Sequence, residues 1–175
     1  MQTSVVVPET GVAAEARAGK YLTFRLANEE FGIRVMQVRE IMGLQEITPV
    51  PHTPAHVKGV INLRGKVIPV ICLRSKFGVP AAEYTERTSI IVVQLQGGAM
   101  LAGIIVDGVS EVLNVVATDI EDAPNFGSDA DTSYLLGMAK IKGAIKILLD
   151  IEQVMKTLGD VVKQLTAMPG DAGSR

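Results

Sequence analysis

The sequence predicts a mainly β protein, with two similar five-stranded barrels side by side and a C-terminal helix. Three observations carry this reading. Short runs rich in Val and Ile alternate apolar with polar residues at period two. The second half of the chain repeats the pattern of the first. Sustained helical periodicity is confined to the segment after Asp150.

Met1 to about Gly19 lacks strong periodicity and is expected to be a loose tail, as are residues 166–175. Order begins at "YLTFRLANEEFGIRV". Leu22, Phe24 and Leu26 alternate with Tyr21, Thr23 and Arg25. After Asn28-Glu29-Glu30, Phe31, Ile33 and Val35 alternate again, which gives strand, turn, strand. A third strand is expected near Arg39 to Leu44. "TPVPHTPAHVKG" is a connection in which Thr53 and Pro54 fit an N-cap and a first helical position, so one short helical turn is expected. Val60 to Leu63 and Val67 to Leu73 form a hairpin with Arg64-Gly65 at its turn, where Gly supplies the positive φ. Pro69 removes one amide donor, so its strand should have an edge or a bulge there.

"SIIVVQLQGGAMLAGIIVDGVSEVLNV" gives strand, Gly97-Gly98 turn, strand, bend, strand, followed by the polar loop "ATDIEDAPNFGSDADTS". The repeat then becomes visible. "GVINLRGKVIPVICLRSKF" lies over "GMAKIKGAIKILLDIEQVM" without a gap at an offset of 78 (137 − 59), and "GIRVMQVREI" lies over "GIIVDGVSEV" at 71 (103 − 32). The copies correct one another. Asp107-Gly108 alone reads as a tight hairpin turn, but its counterpart Met36-Gln37 is poor turn material, so a bend or single helical turn is expected at both. The halves divide into a first barrel over about 21–80 and a second over about 87–150, with exchange of strands between them left open. Asp150, with Gln153 at the reciprocal position, caps a helix over about 151–165. Ile151, Val154, Met155, Leu158, Val161, Val162 and Leu165 fall on one face of it, suited first to packing on a barrel and, as the alternative, to binding a partner.

Composition narrows the function. Of 175 residues 47% are hydrophobic but only 4% aromatic, with no Trp, so the core is aliphatic. A net charge of −2 gives no global pull toward nucleic acid or anionic lipid. The N-terminus lacks the basic start and apolar stretch of a secretory signal, and no segment approaches a spanning helix, so a cytoplasmic protein without membrane insertion is expected. One cysteine, Cys72, allows no internal disulfide, and its apolar surroundings read as a buried small hydrophobe.

No catalytic constellation is present. His52 and His56 are four apart, but Pro54 between them breaks the helix that would aim both at one metal. Asp129 and Asp131 begin like a calcium loop, yet the sixth position is not Gly and Lys140 stands at the twelfth. Asp119, Glu121 and Asp122 read as a solvated loop rather than an acid–base pair. Lys140, Lys142 and Lys146 make a basic face that lacks the stacking aromatics of a nucleic-acid groove. No metal, cofactor or nucleic acid is expected. What remains works by touching other proteins, with apolar walls in a groove and charged tips at its mouth. A small-ligand-binding barrel that uses the acidic loop is the rival reading.

"VREI", "VKGVINLRGKVIPVICLRSKFG" and "GIIVDGVSEVL" together closely resemble the CheW family of bacterial chemotaxis coupling proteins, over about Tyr21 to Leu158. "KGVINLRGKVIPV" followed by "LR" and "FG" is the specific part. Cys72 stands where the family often has Asp, while its repeat partner Asp150 keeps that residue. The resemblance implies two SH3-like five-stranded barrels and a scaffold without catalytic activity. It also implies two partners, the helical hairpin tip of chemoreceptors and the regulatory domain of the chemotaxis histidine kinase, with recruitment to membrane receptor arrays. The output would be flagellar or, in a related pathway, pilus motility or another response. By matching motifs, Val35, Val38, Glu40, Ile41 and Arg64 would belong to or border the receptor site. Gly59 and Gly65 would belong to the kinase site. Arg64 and Glu40 are expected to lie close together.

Overall fold

The computed structural model describes residues 16–124 and 133–156. Eleven strands run β1 (Gly19–Leu26), β2 (Glu29–Arg34), β3 (Val38–Gly43), β4 (Val57–Leu63), β5 (Lys66–Cys72), β6 (Ser89–Leu95), β7 (Met100–Val106), β8 (Gly108–Val115), β9 (Ile120–Glu121), β10 (Leu135–Ile141) and β11 (Ala144–Leu149). Two one-turn helices, α1 (Leu73–Lys76) and α2 (Ile151–Val154), each follow the last long strand of a half.

The strands form two sheets, in the orders β8-β1-β2-β11-β10-β9 and β3-β6-β7-β5-β4. Neither sheet is built from one half alone. Each takes its first hairpin from one half and its remaining long strands from the other. The splices are parallel ladders, Gly32 opposite Leu148 between β2 and β11, and Gly103 opposite Val70 between β7 and β5. These two pairs are themselves repeat partners, since Gly103 lies 71 after Gly32 and Leu148 lies 78 after Val70. The duplication therefore extends to the pairing scheme. It also reaches the bulges: registers shift beside Gly59 in β4 and beside Gly137 in β10. Where two five-stranded barrels are expected, each sheet is curled and does not close. β3 and β4 remain the edges of one, β8 and β9 of the other.

Three apolar clusters hold this arrangement. The largest lies between the sheets and draws Leu22, Phe24 and Ile33 from one, and Ile91, Val93 and Ile104 from the other. A second fills the curl of the five-stranded sheet around Ile61, Ile68, Val70 and Val92. A third fills the six-stranded curl around Tyr21, Val115 and Leu148. Four of the seven aromatic side chains form a single column, Phe24–Phe31–Phe77–Tyr134, with successive ring centroids 6.0, 5.8 and 5.2 Å apart. Phe77 enters it from the end of α1 and so ties the first half's last element to Phe24 and Phe31 of the six-stranded sheet and to Tyr134 in the turn before β10.

Local chemistry follows the predicted turns closely. Arg64 and Gly65 both have positive φ, 51° and 89°, and the Asn62 side chain accepts from the Gly65 N–H at 2.8 Å. Lys142 and Gly143 repeat the geometry at 53° and 81°. Val35–Gln37 is a single 3-10 turn, and Asp107 is a bend. Pro69 sits where β5 is paired only on its β4 side, because the ladder to β7 begins at Val70. Other expectations need correction. Ala16 to Gly19 is not loose: Arg17 donates to the Leu136 carbonyl and pairs with Asp122, and Gly19 already belongs to β1. Thr53 does not cap a helix. Its hydroxyl donates backward to the Val50 carbonyl, while Pro54 to Val57 does close the single turn expected there. Asp150 does cap α2, accepting from the Glu152 and Gln153 N–H groups, but no bond returns from the Gln153 side chain to Asp150. The expected continuation over 157–165 lies outside the described residues.

Arg74 of α1 grips Asp107 through two bonds, 2.8 and 2.7 Å, and Asp107 also accepts from the Ala27 N–H at 2.7 Å. The Arg74 guanidinium, and after it the Ala27 amide, hold the Asp107 carboxyl below its ordinary value against the opposing effect of burial. A carboxylate lowered in this way stabilises the fold above its unfolded pKa, and that contribution is lost as pH falls through the folded value. Acid titration of stability should therefore steepen below about pH 4. In Asp107→Asn that part of the profile should flatten, as read by urea unfolding at a series of pH values. Gly59 supplies a second test. A Cβ there would lie 2.0 Å from the Thr48 carbonyl oxygen, whereas one at Gly65 would meet nothing within 4 Å. Gly59→Ala should cost about 3 kcal/mol or more. Gly65→Ala should cost only about 1 kcal/mol of left-handed backbone strain. Both are read from denaturant midpoints.

Candidate functional site

The surface that concentrates the sequence-predicted residues begins at the 3-10 turn and runs along β3. β3 is an edge strand paired only with β6. Simple alternation would place Val38 and Glu40 on one face. The register shifts between them, so Val38 lies opposite Val93 and Glu40 opposite Val92. This bulge turns Val38 and Ile41 toward the face carrying Val93 and Ile91, which is the inter-sheet side. Glu40 and Met42 turn toward the face carrying Val92 and Ile90, inside the curl. Val38 packs at the margin of the inter-sheet core, while Ile41, at the end of that face, is 45% exposed.

Glu40 meets Arg64 across the open side of the curl. One bond joins Arg64 Nη2 to Glu40 Oε1, and a second, 3.4 Å long, joins Nη1 to Oε2. The two residues come from opposite edges of the five-stranded sheet, Glu40 from β3 and Arg64 from the tip of the β4–β5 hairpin. The hydrogen bonds from Arg64 hold the Glu40 carboxyl below its ordinary value. Arg64 keeps most of its side chain in solvent, so donors remain for an incoming carboxylate. The second half lacks this feature. Glu111 and Lys142 occupy the equivalent positions, and no bond joins them.

Val35 opens the 3-10 turn and is half-buried. Met36 beside it is 80% exposed, the most exposed large apolar side chain among the described residues, and reasoning from motifs missed it. A signal was available: an apolar residue at a position too exposed by its turn context to be core. Gly65 lies in the open at the hairpin tip. Gly59 does not. It is buried beneath the segment carrying Thr48, which bonds in both directions to Val60, 2.8 and 2.9 Å. Gly59 therefore permits a close backbone approach and offers no side-chain surface of its own.

The residues set aside as non-catalytic are dispersed or paired. Asp122 pairs with Arg17, Glu121 with Lys140, and Glu30 with Lys146. Asp129 and Asp131 lie outside the described residues. Among the described residues no group of three His, Cys, Asp or Glu side chains could hold a metal ion. Cys72 is buried, and its N–H bonds to the His56 carbonyl.

Residues 20–158 match the CheW-like domain family. The chain is 41% identical over 146 residues to the chemotaxis protein CheW of Klebsiella aerogenes, an alignment covering 83% of this chain and 87% of that one. It is 38% identical to the CheW of Bacillus subtilis, covering 92% and 100%, and 30% identical to Protein FrzA of Myxococcus xanthus, covering 87% and 95%. Its structure resembles that of the scaffolding protein TtCheW from Thermoanaerobacter tengcongensis with a TM-score of 0.71 at 35% identity, covering 79% of this chain and 92% of that one. Eleven strands in two interleaved sheets among the described residues, a charged clasp across the curl of one of them and this breadth of similarity lead to one conclusion: the chain belongs to the CheW family.

Proposed function

We propose that this protein is a non-catalytic scaffold that couples transmembrane chemoreceptors to the chemotaxis histidine kinase. The observation that carries the reading is the Glu40–Arg64 clasp, set beside the exposed Met36 and Ile41. Apolar side chains flanked by a directional charged pair suit the side of an amphipathic helical hairpin. In this reading the receptor tip lies along Val35, Val38, Glu40 and Ile41. Arg64 exchanges part of its contact with Glu40 for a receptor carboxylate, bidentate as guanidinium geometry favours. The kinase regulatory domain takes the β4–β5 hairpin side, where Gly65 is the exposed element and Gly59 holds the strand beneath it. Among the described residues no helix is long and apolar enough to cross a membrane, which fits recruitment to receptor arrays through the receptor itself.

The test is charge reversal. Arg64→Glu should leave the thermal midpoint unchanged, because the pair is solvent-exposed. It should weaken binding to a receptor hairpin-tip fragment by at least about tenfold, the scale of one lost charge-assisted bond. Binding to the kinase regulatory domain should persist, so the two interactions separate. Adding Glu40→Arg in the same chain restores the clasp in reverse and should recover part of the receptor affinity. Equal receptor binding by wild type and Arg64→Glu overturns the assignment.

A further inference from the structure

The duplication exposes a device that neither half reveals alone. In the second half, Arg74 of α1 holds the Asp107 bend, and the Asp107 carboxylate also accepts from the N–H of Ala27, a residue in left-handed conformation (φ 56°). The repeat carries each participant to a partner. Arg74 becomes Glu152 of α2 at the offset of 78, Asp107 corresponds to Met36 at 71, and Ala27 to Gln96. The last correspondence follows from the ladders, where Thr23 faces Gly32 and Val92 faces Gly103, an offset of 69. Gln96 is also left-handed (φ 53°). At this second place Glu152 Oε2 accepts from the Gln96 N–H at 2.9 Å and from Gln37 Nε2 at 3.3 Å.

The same clamp therefore exists twice, with its chemistry changed. Around β8 it is a bidentate ion pair. Around β3 it is one carboxylate oxygen shared by an amide N–H and a neutral side chain. Gln94 adds a lighter tie, donating to the Met36 carbonyl at 3.0 Å and accepting from Arg39 at 3.3 Å. The softer clamp holds the turn that leads into β3, and that turn presents Met36 and sets where Val38 and Ile41 begin.

We propose that Glu152 is a positioning residue for the receptor-docking strand. It acts from α2, on the other half of the duplication, by fixing the Val35–Gln37 turn through Gln37 and the Gln96 amide. This inference rests on the coupling role proposed above, but its first test does not. In free Glu152→Ala, the amides of Val35 to Ile41 should lose protection from hydrogen exchange, while those of β8 should be unchanged. Glu152→Gln keeps an acceptor oxygen and should retain most of the protection. In a titration with a receptor hairpin-tip fragment, Glu152→Ala should bind about tenfold more weakly, the size of one hydrogen bond to a charged group. Affinity for the kinase regulatory domain and the thermal midpoint should hold. Gln37→Ala added to Glu152→Ala should weaken receptor binding little further, because both remove the same restraint. Unchanged exchange over Val35 to Ile41 in Glu152→Ala overturns the proposal whatever the receptor does. Altered exchange with wild-type receptor affinity also overturns it. Failure of wild type itself to bind the fragment counts against the coupling role, and leaves the exchange result to decide the positioning of the turn.

Discussion

The core between the two sheets is the constraint on which the other features depend. Leu22, Phe24 and Ile33 on one sheet face Ile91, Val93 and Ile104 on the other, all essentially inaccessible to solvent. Each such side chain is worth roughly 1.5–3 kcal/mol when removed from water. Six of them together match or exceed the roughly 5–15 kcal/mol that separates a folded domain from its unfolded chain. Neither sheet could leave that face open and remain folded. The strand exchange reinforces this, because pulling the halves apart would also break the parallel ladders at Gly32–Leu148 and Gly103–Val70. The proposed docking surface is the margin where this shared face runs out, at Ile41 and the turn before it.

Duplication supplies two equivalent margins, and divergence has distinguished them. Ile41 and Val112 are both exposed, as are Val67 and Ile145, and the members of each pair are repeat partners. Among the described residues only the first copy carries a charged clasp across its curl. The clamps behind the third strands differ in the opposite sense: the strong ion pair guards β8, and a carboxylate bonded to neutral donors guards β3. The surface that gained a directional contact is thus also the one whose entering turn is held more lightly. On the proposed coupling role, β3 would benefit from being placed but not locked.

Much of this was legible in the residues themselves. The period-two runs, the Arg64-Gly65 turn and the two offsets depend on neighbours in sequence, and local sterics enforce them. Comparing copies even corrected the Asp107-Gly108 hairpin to a bend. The bulge at Arg39 was not legible, because it depends on which strand pairs with β3. It puts Val38 and Glu40 on opposite faces, where plain alternation would leave them on one. Gly59 read as a contact residue because its motif is distinctive, yet the Thr48 carbonyl covering it comes from a connection with no pattern of its own. Met36 was read only as a turn residue, since exposure is a property of what fails to pack above it.

The sequence by itself determined the β class, the duplicated unit, its turns, the Asp150 cap and membership of a recognisable family, because each is written in spacings of a few residues or in a repeated pattern. Tertiary structure alone decided that the first hairpins change places, that the sheets stay open, and that Glu40 reaches Arg64 across the curl. It also decided that Glu152 holds a turn more than a hundred residues earlier. These are outcomes of burying one shared apolar face, and the energy of that burial depends on the whole assembled surface rather than on any stretch of chain.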